Sequence, residues 1–112
     1  MDLPRITEKP WGKEVLWALV DNKYAAKFIY VNKGHRLSLQ FHNYKCETMM
    51  CLEGIAVLQI EDTEIELRPG QAHTIHPNTI HRLMAPYGDI KVAEVSTTEL
   101  DDVVRLSDDY HR

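Results

Sequence analysis

No stretch of this sequence repeats apolar residues at the 3.6-residue spacing of a helix; turn residues cut it instead into short β-prone runs. EVLWALV (14–20), YAAKFIYV (24–31), RLSLQFH (36–42), CETMMCL (46–52), IAVLQIE (55–61), TEIELR (63–68), QAHTI (71–75), IHRLMA (80–85) and DIKVAEVS (89–96) are bounded by signals such as Asp21-Asn22, Asn32-Lys33-Gly34, Glu53-Gly54, Pro69-Gly70, Pro77-Asn78 and Tyr87-Gly88. Short strands in such number predict an antiparallel all-β sandwich or barrel. The core is expected over about 11–96, followed by a tail segment, 97–112, in which Val103-Val104 and Leu106 form either one more strand or a helical turn. A chain of 112 residues supports one such domain over 1–112 and has no room for a second catalytic one.

Composition narrows the function. A net charge of −4 provides no basic field for a phosphate backbone, so nucleic acid is excluded as a partner while a small anion held by a few local cations is not. Apolar runs such as Ile55 to Leu58 are far too short to cross a bilayer, and MDLPRITEKP has no signal-peptide core, so the expectation is a cytoplasmic protein without a membrane partner. Cys46 and Cys51 match neither a redox CxxC nor a disulfide framework and read as reduced thiols.

The chemistry lies among the histidines. Gln40 and His42 are two apart and share one face of a strand, with Phe41 on the other. After Asn43-Tyr44-Lys45 the next strand presents Glu47, Met49 and Cys51 on one face, so if the strands are neighbours Glu47 stands beside His42. With His81, which opens IHRLMA, the set comprises two imidazoles, a carboxylate and an amide oxygen. Such donors suit a borderline divalent metal with positions left open for water or substrate. Strand parity alone does not choose His81 over His73 or His76, which lie near a turn and read as exposed or hydrogen-bonded. Cys51 reads as a small buried hydrophobe, Met49 as cavity wall, and Trp11, Trp17, Phe28 and Tyr30 as packing of the sandwich or a dimer contact. EDTEIE (61–66) alternates as a hairpin with a solvated face and carries no site.

The spacing Gly34-X5-Gln40-X-His42-X4-Glu47-X6-Gly54 resembles the first cupin motif with Gln in place of its first His, and Gly70 and His81 match the two retained positions of the second. In that second motif His76, Asn78 and Ala85 replace the usual Pro, Gly and Asn, and Asn78 is a residue that tolerates a left-handed backbone. KPWGKEVLW (9–17), LSLQFHNYKCET (37–48), IHRLMAP (80–86) and AEVSTTELDDVVRLSDDYHR (93–112) are similar, in order, to segments of the C-terminal isomerase domain of type II mannose-6-phosphate isomerases, often fused to a mannose-1-phosphate guanylyltransferase. Asn43-Tyr44 stands where that family has two histidines and Lys45 where it has Arg.

The resemblance implies a single-domain cupin, an antiparallel jelly-roll barrel, in which Gln40, His42, Glu47 and His81 bind a divalent metal ion: zinc, manganese, iron, cobalt or nickel. It implies a homodimer and a small-molecule sugar or sugar phosphate as ligand, with mannose 6-phosphate converted to fructose 6-phosphate through a cis-enediolate. Lys45, Tyr44, His76 and Glu94 are the available bases, Lys45 among the catalytic candidates. A phosphate calls for a cation: Arg105, at the Arg of the family's closing segment, is the first choice, against the reading that it ties down the tail through Asp101, Asp102, Asp108 or Asp109. Lys27, Lys33 and Arg36 are secondary, with Tyr44 and His76 completing the substrate-binding candidates. A non-catalytic sugar-binding cupin and a metal-dependent cupin oxygenase are the rival readings.

Overall fold

Alternation of buried and exposed residues along the β-prone runs sets the architecture seen in a computed structural model, which describes residues 2–111. The strands are β1 (Arg5–Lys9), β2 (Gly12–Val20), β3 (Tyr24–Val31), β4 (Leu39–Phe41), β5 (Glu47–Glu53), β6 (Ala56–Ile60), β7 (Thr63–Leu67), β8 (Ala72–Ile75), β9 (His81–Met84), β10 (Ile90–Ser96) and β11 (Val104–Ser107). They form two antiparallel sheets, ordered β1-β2-β3-β10-β5-β8 and β11-β4-β9-β6-β7, packed as an all-β jelly roll. No helix among the described residues is long and apolar enough to cross a membrane.

The inner faces change character along their length. In the six-stranded sheet, Ile29, Val92 and Cys51 form one inward row and Lys27, Glu94 and Met49 the next, with Glu47 opposite Ser96 beyond it. In the other sheet Leu58 pairs with Leu83, Ile60 with His81, and His81 with Gln40. One end of the sandwich is thus closed by aliphatic packing around Val31, Cys51, Leu58, Leu83 and Val92, which excludes water. The other end gathers the polar groups. Trp11 belongs to the core, whereas Trp17 and Phe28 stack on the outer face with ring centroids 5.8 Å apart, so only the first of these aromatics packs the interior of the sandwich.

Two strands extend the sheets beyond 11–96. β1 pairs with β2 from Arg5↔Leu16 to Lys9↔Gly12, and the tail resolves as β11, with Val104 opposite Phe41 and Arg105 opposite Gln40. β4 is shorter than the β-prone run around it, and Arg36 contributes only an isolated bridge to Met84. Gly12 lets β2 begin against β3: its φ is +153° and a Cβ there would lie 1.9 Å from the Tyr30 carbonyl oxygen. Asn78 takes the left-handed conformation, φ 65°, and its N–H donates to the His42 carbonyl at 2.7 Å, tying the turn before β9 to the end of β4.

Candidate metal centre and its cavity

Three side chains meet at the polar end. β5 directs Glu47 inward, β9 directs His81 inward, and His42 follows β4; their ligand atoms lie within 4.8 Å of one another and all three residues are buried. Glu47 Oε1 is 3.3 Å from His42 Nε2 and 3.1 Å from His81 Nε2. On the far side of each ring a backbone carbonyl sits against Nδ1: that of Asp102 at 2.5 Å from His42 and that of Thr79 at 2.9 Å from His81. A carbonyl can only accept, so both Nδ1 atoms carry the proton, and in the neutral rings both Nε2 lone pairs face the Glu47 oxygen.

That arrangement fits a cation. His81 Nε2 is buried without a hydrogen-bond partner, its 3.1 Å approach to Glu47 lacking the alignment of a hydrogen bond. Two lone pairs and a carboxylate oxygen in a water-poor site repel one another, and a divalent cation held by His42, Glu47 and His81 would remove the repulsion. Carbonyl-bound Nδ1–H groups are the usual outer support of metal-binding imidazoles. Gln40 lines the same cavity and is opposite His81 in the ladder, but its Oε1 accepts from the Ser38 hydroxyl at 2.8 Å.

The rest of the interior is an alternating charge row. Lys45 Nζ lies 3.1 Å from Glu47 Oε2 and 3.4 Å from Glu94 Oε2; Lys27 Nζ lies 3.8 Å from Glu94 and 3.4 Å from Glu14. Burial alone would raise the Glu47 pKa, yet its close polar contacts with His42, His81 and Glu94 and the Lys45 charge outweigh it and hold the carboxyl well below the usual range. Glu94 goes the other way: burial first, then the adjacent Glu47 charge, push it up to about 8 against the pull of Lys45 and Lys27. Burial opposes the charge on Lys45, but Glu94 and Glu47 more than offset it and raise its pKa above the ordinary lysine value.

The tail holds this centre from outside. The Asp102 carboxylate accepts the backbone N–H groups of Asn43 (3.0 Å), Tyr44 (2.7 Å) and Lys45 (3.0 Å), which lowers its pKa to about 2. The same residue's carbonyl carries the His42 contact, so one tail residue fixes both the imidazole and the loop leading to Lys45 and Glu47.

Of the remaining expected site residues, Lys27 and Arg105 line the cavity. Arg105 is exposed at its mouth and forms no ion pair with the tail aspartates among the described residues. Three others lie elsewhere. Arg36 is committed to Asp109 in a two-pronged pair of 2.7 and 3.0 Å; the Tyr44 side chain is 76% exposed; and His76 is exposed, with Nδ1 4.0 Å from Cys46 Sγ. Strand parity past a loop does not say which residues the loop turns outward. Glu14 and Lys9 line the cavity and Asp102 supports it from outside, all three unforeseen in these roles, although Glu14 and Lys9 sit in the quoted KPWGKEVLW segment.

Comparison with known proteins gives the family and the fold. The family described as "Mannose-6-phosphate isomerase C-terminal" matches residues 3–108. "Alginate biosynthesis protein AlgA" of Pseudomonas aeruginosa is 33% identical over 110 residues, covering 93% of this chain and 22% of that protein. "Mannose-1-phosphate guanylyltransferase" of Escherichia coli is 32% identical over 115 residues, with 93% and 22% covered. The chain thus spans about a fifth of the length of these relatives. A 49-residue stretch, 44% of the chain and 14% of the relative, is 39% identical to "Quercetin 2,3-dioxygenase" of Bacillus subtilis. In fold, KdgF from Halomonas sp. superposes with a TM-score of 0.78 at 17% identity, covering 87% of this chain and 88% of that one.

The two perturbed carboxylates carry opposite pH signatures in chelator-treated protein. Asp102 binds fewer protons folded than unfolded, so its contribution is present above its unfolded pKa and is lost as pH falls toward about 2. Asp102→Asn should therefore lower the melting temperature at pH 7, with the deficit shrinking between pH 4 and pH 2. Glu94 binds more protons folded, so its ionisation costs stability progressively between its unfolded pKa and about 8. The melting temperature of Glu94→Gln relative to wild type should rise over pH 5 to 8; a flat or falling difference contradicts the buried, neutral-favouring site.

Proposed function

The chain belongs to the mannose-6-phosphate isomerase C-terminal family, and from that membership we propose that it is a metal-dependent aldose–ketose isomerase of a sugar phosphate, most like mannose 6-phosphate to fructose 6-phosphate. The observation that carries this reading is the convergence of His42, Glu47 and His81 beside a buried acid of raised pKa, Glu94. His42, Glu47 and His81 would hold the metal, with Gln40 next to them. Held there, a divalent ion would act as a Lewis acid toward a substrate carbonyl.

The chain's own groups then account for the proton. Isomerisation moves one hydrogen between adjacent carbons, which requires a base that takes it and returns it. Of the four candidate bases only Lys45 and Glu94 reach the cavity, and Lys45 stays protonated between two carboxylates. Glu94, with a pKa of about 8, exchanges a proton near neutral pH, and Lys45 and Lys27 hold its Oε2 in place. Trp11 also lines the cavity, and its buried indole N–H has no partner among the described residues, leaving a donor for a substrate oxygen. The segment resembling a dioxygenase supports a second reading, oxygen chemistry at the same ligands.

Elemental analysis and fructose 6-phosphate formation separate these readings. Wild type should carry about one metal per chain and isomerise; His42→Ala and His81→Ala should lose both. Glu94→Gln should keep the metal and lose roughly 10²–10⁴-fold in turnover. Metal with oxygen uptake and no isomerisation would move the assignment to the oxygenase, and a metal-free, inactive wild type would contradict both.

A further inference from the structure

A second concavity, bounded by Arg5, Thr7, Leu16 and Asp101, shares Lys9, Glu14, Lys27 and Leu100 with the first, so the two adjoin. Its outer wall is β1. Arg5, Thr7 and Lys9 alternate along that strand, and the ladder sets Thr7 opposite Glu14 and Arg5 opposite Leu16.

Charge and size point the same way. The interior lysines are already matched, Lys45 by Glu47 and Glu94, Lys27 by Glu14 and Glu94. Arg5 and Lys9 form no ion pair among the described residues, and the carboxylates lining the annex are Asp101 and Glu14, the latter paired with Lys27. The chain as a whole carries −4, so two unmatched cations on one groove wall are a local departure from its charge. The inner cavity has a volume of about 110 Å³ and the annex about 210 Å³. Small-molecule sites span roughly 300–1,000 Å³, a range the inner cavity alone falls short of.

We propose that the annex is an anion subsite in which the phosphate-monoester end of the ligand seats against Arg5, Thr7 and Lys9, while the carbonyl end faces His42, Glu47 and His81. This rests on the isomerase reading for the identity of the ligand, but not for the existence of the subsite. The guanidinium of Arg5 can grip two phosphate oxygens, the Thr7 hydroxyl donates a third contact, and the Lys9 ammonium sits at the junction with the inner cavity. Arg105, on the opposite wall, is the competing anchor.

Inorganic phosphate titrated into the purified protein and followed by amide NMR tests the subsite without turnover. Arg5→Ala/Lys9→Ala should weaken phosphate about tenfold or more and raise the KM for mannose 6-phosphate similarly, with kcat changed by less than about twofold. Lys23→Ala, in the exposed turn between β2 and β3, should change neither. A double variant that binds phosphate like wild type, a larger loss in Arg105→Ala than in the double variant, or a wild type that binds no phosphate overturns the proposal. Phosphate binding that depends on Arg5 and Lys9 in a protein that does not isomerise would retain the subsite and refute the isomerase reading; isomerisation with an unchanged KM in the double variant would do the reverse.

Discussion

A buried carboxylate governs this molecule. Glu47 is 2% exposed, and an isolated charge so far from water is not sustainable without partners. The loop between β4 and β5 brings the counter-charge, Lys45, while β9 and the end of β4 set His81 and His42 against the other carboxylate oxygen. Lys45 in turn requires Glu94 from β10, which draws in Lys27 from β3 and, through it, Glu14 from β2. The polar network thus ties both sheets together at one end of the sandwich, while aliphatic packing closes the other. A site with this many mutually dependent charges is held rigidly and is costly to break at any single member.

The tail is part of that device. Asp102 holds the loop and the His42 ring, and farther on Asp109 pairs with Arg36 while Tyr110 bonds His35 at 2.7 Å and stacks on its ring. The Arg82 guanidinium, buried behind β9, joins the two by donating to the carbonyls of Leu37 and Ser107. Segments 97–111 and 35–45 are therefore strapped side by side, which fixes the His42 ring by contacts well away from it.

Much of this was legible in the sequence, for identifiable reasons. Period-two alternation places Gln40 with His42 and Glu47 with Met49, and the structure keeps both pairings of face. Parity cannot choose among His73, His76 and His81, because the choice depends on which strand pairs with β4. It also cannot see loops, which is why Tyr44 and His76 point outward and Lys45 inward. Arg36 reads as a substrate cation only until Asp109, 73 residues away in sequence, is brought beside it. β1 escaped because RITEK has almost no apolar face: all but its last residue are exposed, and only the edge of β2 makes it a strand. Asp102 gives no local signal, since its partners lie 57 to 60 residues earlier in the chain.

If His42, Glu47 and His81 hold a cation, the two imidazoles do so through Nε2, because backbone carbonyls accept from Nδ1–H on the far side of each ring. Long-range proton–nitrogen NMR of the histidine rings, recorded with and without one equivalent of zinc, reads this directly. Nδ1-protonated rings are expected for His42 and His81, with zinc moving both Nε2 resonances and no other imidazole nitrogen to the same extent. Rings protonated at Nε2, or Nε2 resonances of His42 and His81 that ignore zinc, would contradict it.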